Sequence, residues 1–522
     1  MNQHERRIIR FLSSRTTYPH PGATIERRET HVSHVFLAGS FAYKFKKPVQ
    51  FPFLNASTLA RRKQFCLLEL VLNRRLAPTV YLSMTPIVET RKGLRLGGKG
   101  KAIEWVVKMR RLPEERMLDQ LVAQRRVRRR DMKRIADRLI PFFRRAARSH
   151  AISRYGEPAQ VAALVLGNLQ ECQPFVGRLL SEADRAFLEA SYHQYLTLHE
   201  PVLRQRVRER RIIDGHGDLR CENICLTNPV SIFDCVEFEP AFRCGDLAND
   251  LSFLLMDLEF RGRREFADAL VAQYRRRLTD PTLDLVLPFY KCHRSLVRGK
   301  VRGLAWLQHP RTTEGRNVRE LSRQHFQLAV QYARHFAPPR LLVIGGLIGT
   351  GKSTLAKSLA EALGATWLRT DEIRLKEFGH LHRSPQGFAE GLYAPQVSEL
   401  VYQRLIQRAE ALMRRERSVV CDGTFSKASG RDALRRIATR HGASFHFIEC
   451  VVPRAVALRR VTKRYAERAD LSEARPEHYD RLKAGFEPVH GWARQAWTQL
   501  SDHRAPSGTY LAALGALRRV WV

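Results

Sequence analysis

Residues 346–353 read GLIGTGKS, which fits the phosphate-loop pattern GxxxxGK(S/T) without deviation. The glycines allow successive backbone N–H groups to close around a nucleotide phosphate at the start of a helix. The lysine adds a positive charge beside the β- and γ-phosphates, and the serine hydroxyl is a ligand for Mg²⁺. The apolar run 341–344 and the evenly spaced leucines after the motif predict a buried strand and an amphipathic helix. We therefore predict an ATP site formed by Gly346, Gly349, Thr350, Gly351, Lys352, Ser353 and Thr354, with Lys352 also acting in catalysis.

Two aspartates, Asp371 and Asp422, each follow a short apolar segment later in the same region. In a parallel sheet the carboxyl ends of the strands meet around the ligand crevice. We predict that Asp371 acts on the acceptor hydroxyl and that Asp422 holds Mg²⁺ together with Ser353. Arg374, one helical turn after Asp371, would then steady an anionic acceptor. The alternative for either aspartate is a helix N-cap.

Arg460 and Arg464 lie one helical turn apart after the strand-like residues 445–452. This spacing suits a lid helix that offers two cations to a transferring phosphoryl group. We predict catalytic roles for both arginines. The alternative is a solvated helix face.

Residues 212–224 carry a second set of candidate residues, His-Gly-Asp followed by an asparagine, and a further aspartate stands beyond them. Kinase chemistry needs a carboxylate near the acceptor hydroxyl, and an amide oxygen and a second carboxylate to hold Mg²⁺. Asp218 is the predicted catalytic residue, and Asn223 and Asp234 are the predicted metal ligands. We expect His216 to brace the loop through hydrogen bonds rather than to transfer protons.

Lys44 lies in a strand-like segment and Glu69 in the helical stretch that follows. This order is typical of a phosphate-binding lysine that a helix carboxylate holds in place. Lys46 and Lys47 remain alternatives, because residues two apart in a strand share a face and alternation does not separate Lys44 from Lys46. The Ala-x-Lys context favours Lys44.

The order of elements changes near residue 340. Before it, a β-rich segment precedes a long, mostly helical one; after it, strands and helices alternate. Two prolines, Pro338 and Pro339, end the preceding helical pattern. We predict two domains, residues 1–335 and 340–522.

The composition fits a globular protein, with 44% apolar and 27% charged residues. The absence of a long apolar segment predicts a cytoplasmic protein. Nine scattered cysteines are expected to be reduced, buried thiols. The formal net charge of +38 permits nonspecific nucleic-acid binding, although the arginine runs 125–130 and 204–211 are more simply solvated helix faces.

The C-terminal motifs resemble those of P-loop kinases typified by polynucleotide kinase, zeta toxin and chloramphenicol phosphotransferase. The matching positions are the phosphate loop, Asp371 with Arg374, Asp422 with Thr424, and the two lid arginines. The resemblance implies that Asp371 is the base for the acceptor hydroxyl. The tail beyond Ser501 departs from it, because no last sheet strand is evident there.

The N-terminal motifs resemble the aminoglycoside phosphotransferase and choline kinase branch of the kinase superfamily, in which HGD replaces HRD. The resemblance implies that the first acid of residues 243–250, Asp246, braces the catalytic loop. Two departures argue against a regulated protein kinase: only Gly39 stands where a glycine-rich loop belongs, and Asp234 begins DCV instead of DFG.

The whole chain resembles the family called bifunctional aminoglycoside phosphotransferase/ATP-binding proteins. The implied fold is a two-lobed α+β protein-kinase-like domain followed by an α/β P-loop kinase domain with a parallel sheet. The expected activity is ATP-dependent phosphoryl transfer to a hydroxyl group of a small molecule, with ATP and Mg²⁺ at both sites. A cationic aminoglycoside is not the expected acceptor, because its pocket should be acidic and this chain is basic.

Two alternatives remain open at this stage. One is a kinase for the 5′-hydroxyl of a nucleic acid, which the positive charge permits. The other is a nucleotide-sensing switch that binds ATP with little turnover.

Overall fold

A computed structural model of the chain describes residues 2–20, 24–51, 54–379, 391–467, 475–493, 495–501 and 506–521. These residues form two compact units, one of Met1–Val161 with Leu203–Arg298 and the other of Ala162–Val202 with Gly299–Val522. The break expected between residues 335 and 340 falls inside the second unit. The two domains proposed from the sequence, residues 1–335 and 340–522, therefore stay a prediction.

The strands are β1 (Ile25–Glu29), β2 (Ser33–Ala38), β3 (Phe41–Lys46), β4 (Gln50–Phe51), β5 (Leu54–Asn55), β6 (Tyr81–Thr90), β7 (Gly93–Leu96), β8 (Lys101–Arg110), β9 (Ile212–Asp214), β10 (Ile224–Cys225), β11 (Ser231–Ile232), β12 (Cys244–Asp246), β13 (Arg340–Gly346), β14 (Thr366–Arg369), β15 (Val419–Asp422), β16 (Ser444–Val451) and β17 (Trp497–Ser501).

The α-helices are α1 (Gln3–Ser13), α2 (Leu59–Arg74), α3 (Leu118–Ala123), α4 (Arg129–Arg145), α5 (His150–Ser153), α6 (Pro158–Gln170), α7 (Glu182–Arg208), α8 (Pro240–Arg243), α9 (Leu247–Phe260), α10 (Arg264–Arg277), α11 (Leu283–Gln308), α12 (Thr313–Phe336), α13 (Lys352–Ala362), α14 (Thr370–Phe378), α15 (Pro395–Met413), α16 (Ala428–Arg440), α17 (Arg454–Glu467), α18 (Tyr479–Ala484) and α19 (Pro506–Trp521).

The first unit contains an antiparallel sheet in the order β1-β2-β3-β8-β6-β7. Side chains of β3 alternate between the two faces: Tyr43 and Phe45 pack with α1, whereas Ala42 packs with α2. Because Lys44 and Lys46 share the face of Ala42, both lysines point toward α2. The two-residue period of the strand therefore places Lys44 and Lys46 on the side of the helix that carries Glu69.

Helices make up most of the rest of this unit, and two short antiparallel pairs, β9 with β12 and β10 with β11, hold the segment between Asp214 and Asp234. One buried ion-pair cluster fixes the surroundings of this segment. The fully buried Arg206 binds Asp246 at 2.5 Å and Asp280 at 2.6 Å.

The second unit contains a five-stranded parallel sheet in the order β14-β15-β13-β16-β17. Every residue of the central strand β13 is buried, as a parallel strand covered on both faces requires. The sequence showed no last sheet strand in the tail beyond Ser501. The structure places that strand, β17, just before the tail, because it ends at Ser501. Residues 506–521 of the tail form α19.

All nine cysteines are buried and none is in a disulfide, which confirms the expectation of buried thiols. Within the described ranges, no helix combines the length and apolar character that crossing a membrane requires.

Candidate nucleotide-binding sites

The phosphate loop joins β13 to α13 and depends on its glycines. Gly346, Gly349 and Gly351 have φ angles of 136°, 76° and 86°, in the region that favours glycine. A Cβ atom at Gly346 would lie 2.3 Å from the carbonyl oxygen of Cys450, and one at Gly349 would lie 2.4 Å from that of Ala457. Any side chain at these two positions would therefore displace the backbone that packs against the loop.

The polar side chains of the loop turn inward. The Thr350 hydroxyl donates to the carbonyl oxygen of Leu347 at 2.8 Å, and the Lys352 ammonium donates to the same oxygen at 3.3 Å. Thr354 lies one residue beyond Ser353 on α13 and is exposed. The structure thus brings the predicted loop residues together at the start of α13, with the lysine resting on the loop backbone.

Asp422, at the end of β15, lies beside the start of α13. Asp422 is 3% exposed, and its carboxylate lies 3.7 Å from the Arg369 guanidinium and near the Ser353 hydroxyl. Burial raises the pKa of Asp422, and the nearby Lys352 ammonium opposes this rise. Within the described residues, its Oδ1 atom has no hydrogen-bond partner. A buried carboxylate oxygen without a partner, next to a serine hydroxyl, fits the oxygen ligands that Mg²⁺ prefers.

Asp371 lies in the first turn of α14 rather than in the strand before it. Its charge contributes to the raised pKa of Asp422, so the two carboxylates are neighbours. Within the described part of the chain, the Asp371 side chain shows no hydrogen bond or ion pair. Arg374, by contrast, is buried and donates to the carbonyl oxygen of Leu392 at 2.7 Å and to the Ser398 hydroxyl at 3.2 Å. Both bonds come from Nη1, whereas Nε has no hydrogen-bond partner among the described residues, so the acceptor role of Arg374 stays a prediction.

The predicted lid arginines lie on α17, which packs against the phosphate loop through Ala457 and Val461. A Cβ atom on Gly351 would lie 3.7 Å from Nη1 of Arg460. Arg460 therefore lies beside the loop, and the half-buried Arg464 follows one turn later on the same helix.

Several candidate residues of the first unit lie around the lysines of β3. The Lys44 ammonium lies 2.8 Å from a carboxylate oxygen of Glu69 and 2.7 Å from one of Asp234. Lys46 binds the other Glu69 oxygen at 2.5 Å and Glu237 at 2.6 Å. Burial raises the pKa of Glu69, but the two lysines outweigh it and lower that pKa to about 2.

This geometry separates the three lysines that the sequence left open. Lys44 is the one that joins Glu69 to Asp234, and Lys47 instead binds the exposed Glu29. Glu237 is an addition that sequence reasoning missed, and Lys46, predicted only as an alternative to Lys44, binds Glu69 alongside it. The signals were present, since Lys46 shares the face of Lys44 and Glu237 stands three residues after Asp234.

Asp218 lies in the loop after β9 and is held from two sides. The Asn223 amide donates to its carboxylate at 2.9 Å and to its backbone carbonyl at 2.8 Å. The Arg220 guanidinium donates to both carboxylate oxygens, at 2.7 and 2.9 Å. Burial raises the pKa of Asp218, but Arg220 outweighs burial and holds it well below the usual range. Arg220 is a further residue that the sequence analysis did not single out.

Asp234 presents a half-exposed carboxylate on a left-handed backbone, with a φ angle of 62°. Its backbone N–H donates to the Tyr81 hydroxyl at 3.3 Å. A non-glycine residue in this conformation is uncommon and marks a position fixed by its surroundings. The turn directs the carboxylate toward Lys44.

The loop that carries Asp218 is braced by Asp250, and not by Asp246 as expected. Asp250 accepts from the backbone N–H groups of His216 at 2.5 Å and Gly217 at 2.8 Å. Asp246 instead binds Arg206. His216 is buried, with Nε2 3.0 Å from the carbonyl oxygen of Phe233, which agrees with the bracing role predicted for it.

An open cleft of about 510 Å³ lies in the same unit, at the turn between β2 and β3. It is lined by Gly39, Ser40 and residues 110–115, which follow β8.

Comparisons with known proteins give three kinds of match. Residues 341–489 match a family model described as an AAA domain. An uncharacterized protein of Mycobacterium bovis is 34% identical over 427 residues, which cover 81% of this chain and 83% of that protein. An uncharacterized protein of Mycobacterium tuberculosis strain H37Rv matches with the same values.

Two solved structures are similar over about a third of the chain. A putative kinase from Chloroflexus aurantiacus is 18% identical, covering 35% of this chain and 100% of that one, with a TM-score of 0.29. The APS kinase of Mycobacterium tuberculosis, solved with AMPPNP and APS, is 19% identical, covering 34% and 98%, with a TM-score of 0.27.

Proposed function

The chain belongs to the same family as the two mycobacterial proteins, and from this premise and the geometry of its sites we propose that it is a phosphotransferase with two ATP sites. One site is the phosphate loop of the second unit. The other lies in the first unit, around Lys44, Asp218 and Asp234. Each site transfers the γ-phosphoryl group of ATP to a hydroxyl group of a small molecule.

The observation that carries the proposal is the buried Asp422 carboxylate near Ser353 and Lys352, whose Oδ1 atom has no hydrogen-bond partner among the described residues. A phosphate loop of this form offers backbone N–H groups and one lysine to the phosphates. Ser353 and Asp422 would hold Mg²⁺ between them, and the partnerless Oδ1 of Asp422 supports this assignment. When bound, Mg²⁺ neutralises the charge that develops on the phosphoryl oxygens.

The remaining residues of this site have roles that follow from their positions. Asp371 is the neighbouring carboxylate that forms no bond with the described protein, so it is available to orient the acceptor hydroxyl. Arg460 and Arg464 supply cations from the lid helix to the transferring phosphoryl group.

In the first unit, we assign an aminoglycoside-phosphotransferase-like site. Lys44 binds the α- and β-phosphates and Glu69 holds it in place, in the arrangement that phosphoryl transfer requires. Asn223 and Asp234 would hold Mg²⁺. Asn223 uses its amide N–H group on Asp218, which leaves its amide oxygen as the metal ligand.

The open cleft at Gly39 and residues 110–115 is the position we assign to the adenine base of this ATP. It follows the last long strand of the sheet and includes the turn before β3. Backbone groups of residues 110–115 would read the base edge, and Gly39, with a φ angle of 57°, allows the turn to approach the phosphates.

Isothermal titration calorimetry tests the two-site proposal directly. The wild-type chain should bind two molecules of a non-hydrolysable ATP analogue in the presence of Mg²⁺. Lys352→Ala should remove one site, Lys44→Ala the other, and the double variant both. A wild-type stoichiometry of one would contradict the proposal.

Transfer is tested with γ-labelled ATP and a panel of alcohols that includes sugars, nucleosides and a 5′-hydroxyl oligonucleotide. Label on a small alcohol in each single variant supports two kinase sites. Label only on the oligonucleotide would identify a 5′-hydroxyl kinase, and binding without label transfer in single-turnover assays would identify a nucleotide sensor.

A further inference from the structure

One face of the first unit concentrates positive charge. We define the arginine face as Arg144, Arg145, Arg148, Arg208, Arg210, Arg211, Arg275, Arg276 and Arg277. These residues come from the ends of α4, α7 and α10 and from the residues just beyond α4 and α7.

Backbone contacts show that the three segments adjoin one another. Arg144 donates to the carbonyl oxygen of Arg277, and Arg148 donates to that of Arg210 at 2.9 Å. Arg211 donates to the carbonyl oxygen of Thr279 at 2.5 Å. Arginines from three separate segments of the chain are therefore brought to one surface.

Few carboxylates neutralise this face. In the described structure its acidic partners are Asp137, which binds Arg277, Asp284, which binds Arg275, and Glu209, which binds Arg211. Nine arginines thus share three carboxylates. Asp280 lies next to the face in sequence, but the buried Arg206 already binds it.

The cations also repel one another. Burial lowers the pKa of Arg148, and the charges of Arg210 and Arg211 lower it further. In the same way, burial and the charge of Arg145 lower the pKa of Arg138. Mutual repulsion of this kind destabilises the compact chain unless an anion is bound.

Helix capping accounts for only part of the face. Cations at the C-terminal end of a helix stabilise it, and Arg144, Arg148 and Arg211 each donate to backbone carbonyl groups there. Arg145, Arg208 and Arg276 are exposed, and their side chains form no hydrogen bond or ion pair with the described residues. These three are available to an external anion.

We infer that the arginine face binds the phosphate backbone of double-stranded nucleic acid without reading its sequence. Guanidinium groups suit phosphate oxygens, which they bind with paired N–H donors. The segments 144–148, 208–211 and 275–277 that form the face contain no aromatic residue, so they offer none of the stacking surface on which single-strand binding depends. A duplex presents its phosphates outward and needs only the cations.

The test measures binding of a fluorescent random-sequence duplex of about 20 base pairs by anisotropy, between about 50 and 200 mM salt. The test variant is Arg145→Glu/Arg208→Glu/Arg276→Glu, which spares the arginines whose side chains donate to backbone carbonyl groups. The matched control is Arg6→Glu/Arg91→Glu/Arg311→Glu, at three exposed positions outside the face whose side chains form no hydrogen bond or ion pair with a described residue. Both variants change the net charge equally.

We expect the wild type and the control to bind the duplex with a strong salt dependence. The face variant should bind at least about tenfold more weakly, and its log–log salt slope should fall by about two to three, since each lost phosphate contact removes about 0.9. Unchanged hydrogen exchange of the β3 amides, which belong to the same unit as the face, serves as the folding control.

Several results would overturn the inference. Equal losses in the two variants would assign binding to net charge rather than to this face. No binding of the duplex at the lowest salt, tighter binding of a single strand of the same length, or binding only to phosphatidylserine vesicles would each exclude a duplex site.

Discussion

The Arg220 guanidinium holds the Asp218 carboxylate through two hydrogen bonds, one from Nε at 2.7 Å and one from Nη2 at 2.9 Å. The pair keeps Asp218 ionised, because the cation outweighs the effect of burial on its pKa. A carboxylate with so low a pKa is a weak base. It therefore orients an acceptor hydroxyl and accepts the proton late in transfer, when the hydroxyl oxygen has become acidic.

Replacing Arg220 by methionine should expose this dependence on pH. Without the cation, burial dominates and the pKa of Asp218 rises, so the carboxylate becomes protonated at a higher pH than in the wild type. The acidic limb of kcat/KM at the first-unit site should move upward by at least about one pH unit. The measurement is a pH profile of ATP turnover in the Lys352→Ala background. Arg220→Lys, which keeps the charge, should move the limb less, and an unchanged limb in Arg220→Met would contradict the assignment.

Substitutions of Asp234 and Asp218 should have different effects on Mg·ATP binding and on turnover. Asp234→Asn should weaken Mg·ATP binding at the first-unit site, because it removes a predicted metal ligand and the partner of Lys44. Asp218→Asn should retain binding and lose about 10²–10⁴-fold in turnover, the range expected of a general base. Calorimetry and turnover in the Lys352→Ala background give the two quantities. Equal losses of affinity in both variants would show that the roles are misassigned.

Lys46 and Lys47 are adjacent but should differ greatly in their effect on stability. Lys46 is buried between Glu69 and Glu237, so Lys46→Met leaves a buried carboxylate without its cation and should cost about 3–5 kcal/mol. Lys47 binds the half-exposed Glu29, and Lys47→Met should cost less than about 1 kcal/mol. Hydrogen exchange of the β3 amides, followed by mass spectrometry, measures both losses locally.

A double variant, Lys46→Met/Glu237→Leu, provides the control for this comparison. Removing both charges should restore part of the stability, because neither partner is then left buried alone. Equal protection of β3 in the two single variants would show that Lys46 is not buried as a paired charge in solution.

Much of this geometry was accessible from the sequence, where local patterns determine it. The phosphate loop, its flanking strand and helix, and the pairing of Lys44 with Glu69 follow from periodicity and motif spacing. The partners of Arg220, Lys46 and Glu237 could not be predicted in this way, because they depend on which charged group lies across the fold. The bracing role was predicted for Asp246 but belongs to Asp250 for a similar reason. Both aspartates follow the metal-site segment, and only the packing of α9 decides which one reaches the backbone of residues 216–217. The two compact units are defined by contacts between distant segments, which no local pattern in the sequence reveals.

Asp371 is the residue whose role is most open to a decisive experiment. It lies beside Asp422, yet Ser353 already occupies the position next to that carboxylate, and Asp371 itself bonds to no group of the described protein. If it orients the acceptor hydroxyl, Asp371→Asn should keep its affinity for Mg·ATP and lose at least about 10²-fold in transfer. Ser353→Ala is the matched comparison, because loss of a metal ligand should weaken Mg·ATP binding itself. Calorimetry and single-turnover transfer in a Lys44→Ala background give the two quantities for the second-unit site alone. If Asp371→Asn instead loses Mg·ATP affinity and transfers normally at saturating nucleotide, Asp371 belongs to the metal site and another group orients the acceptor.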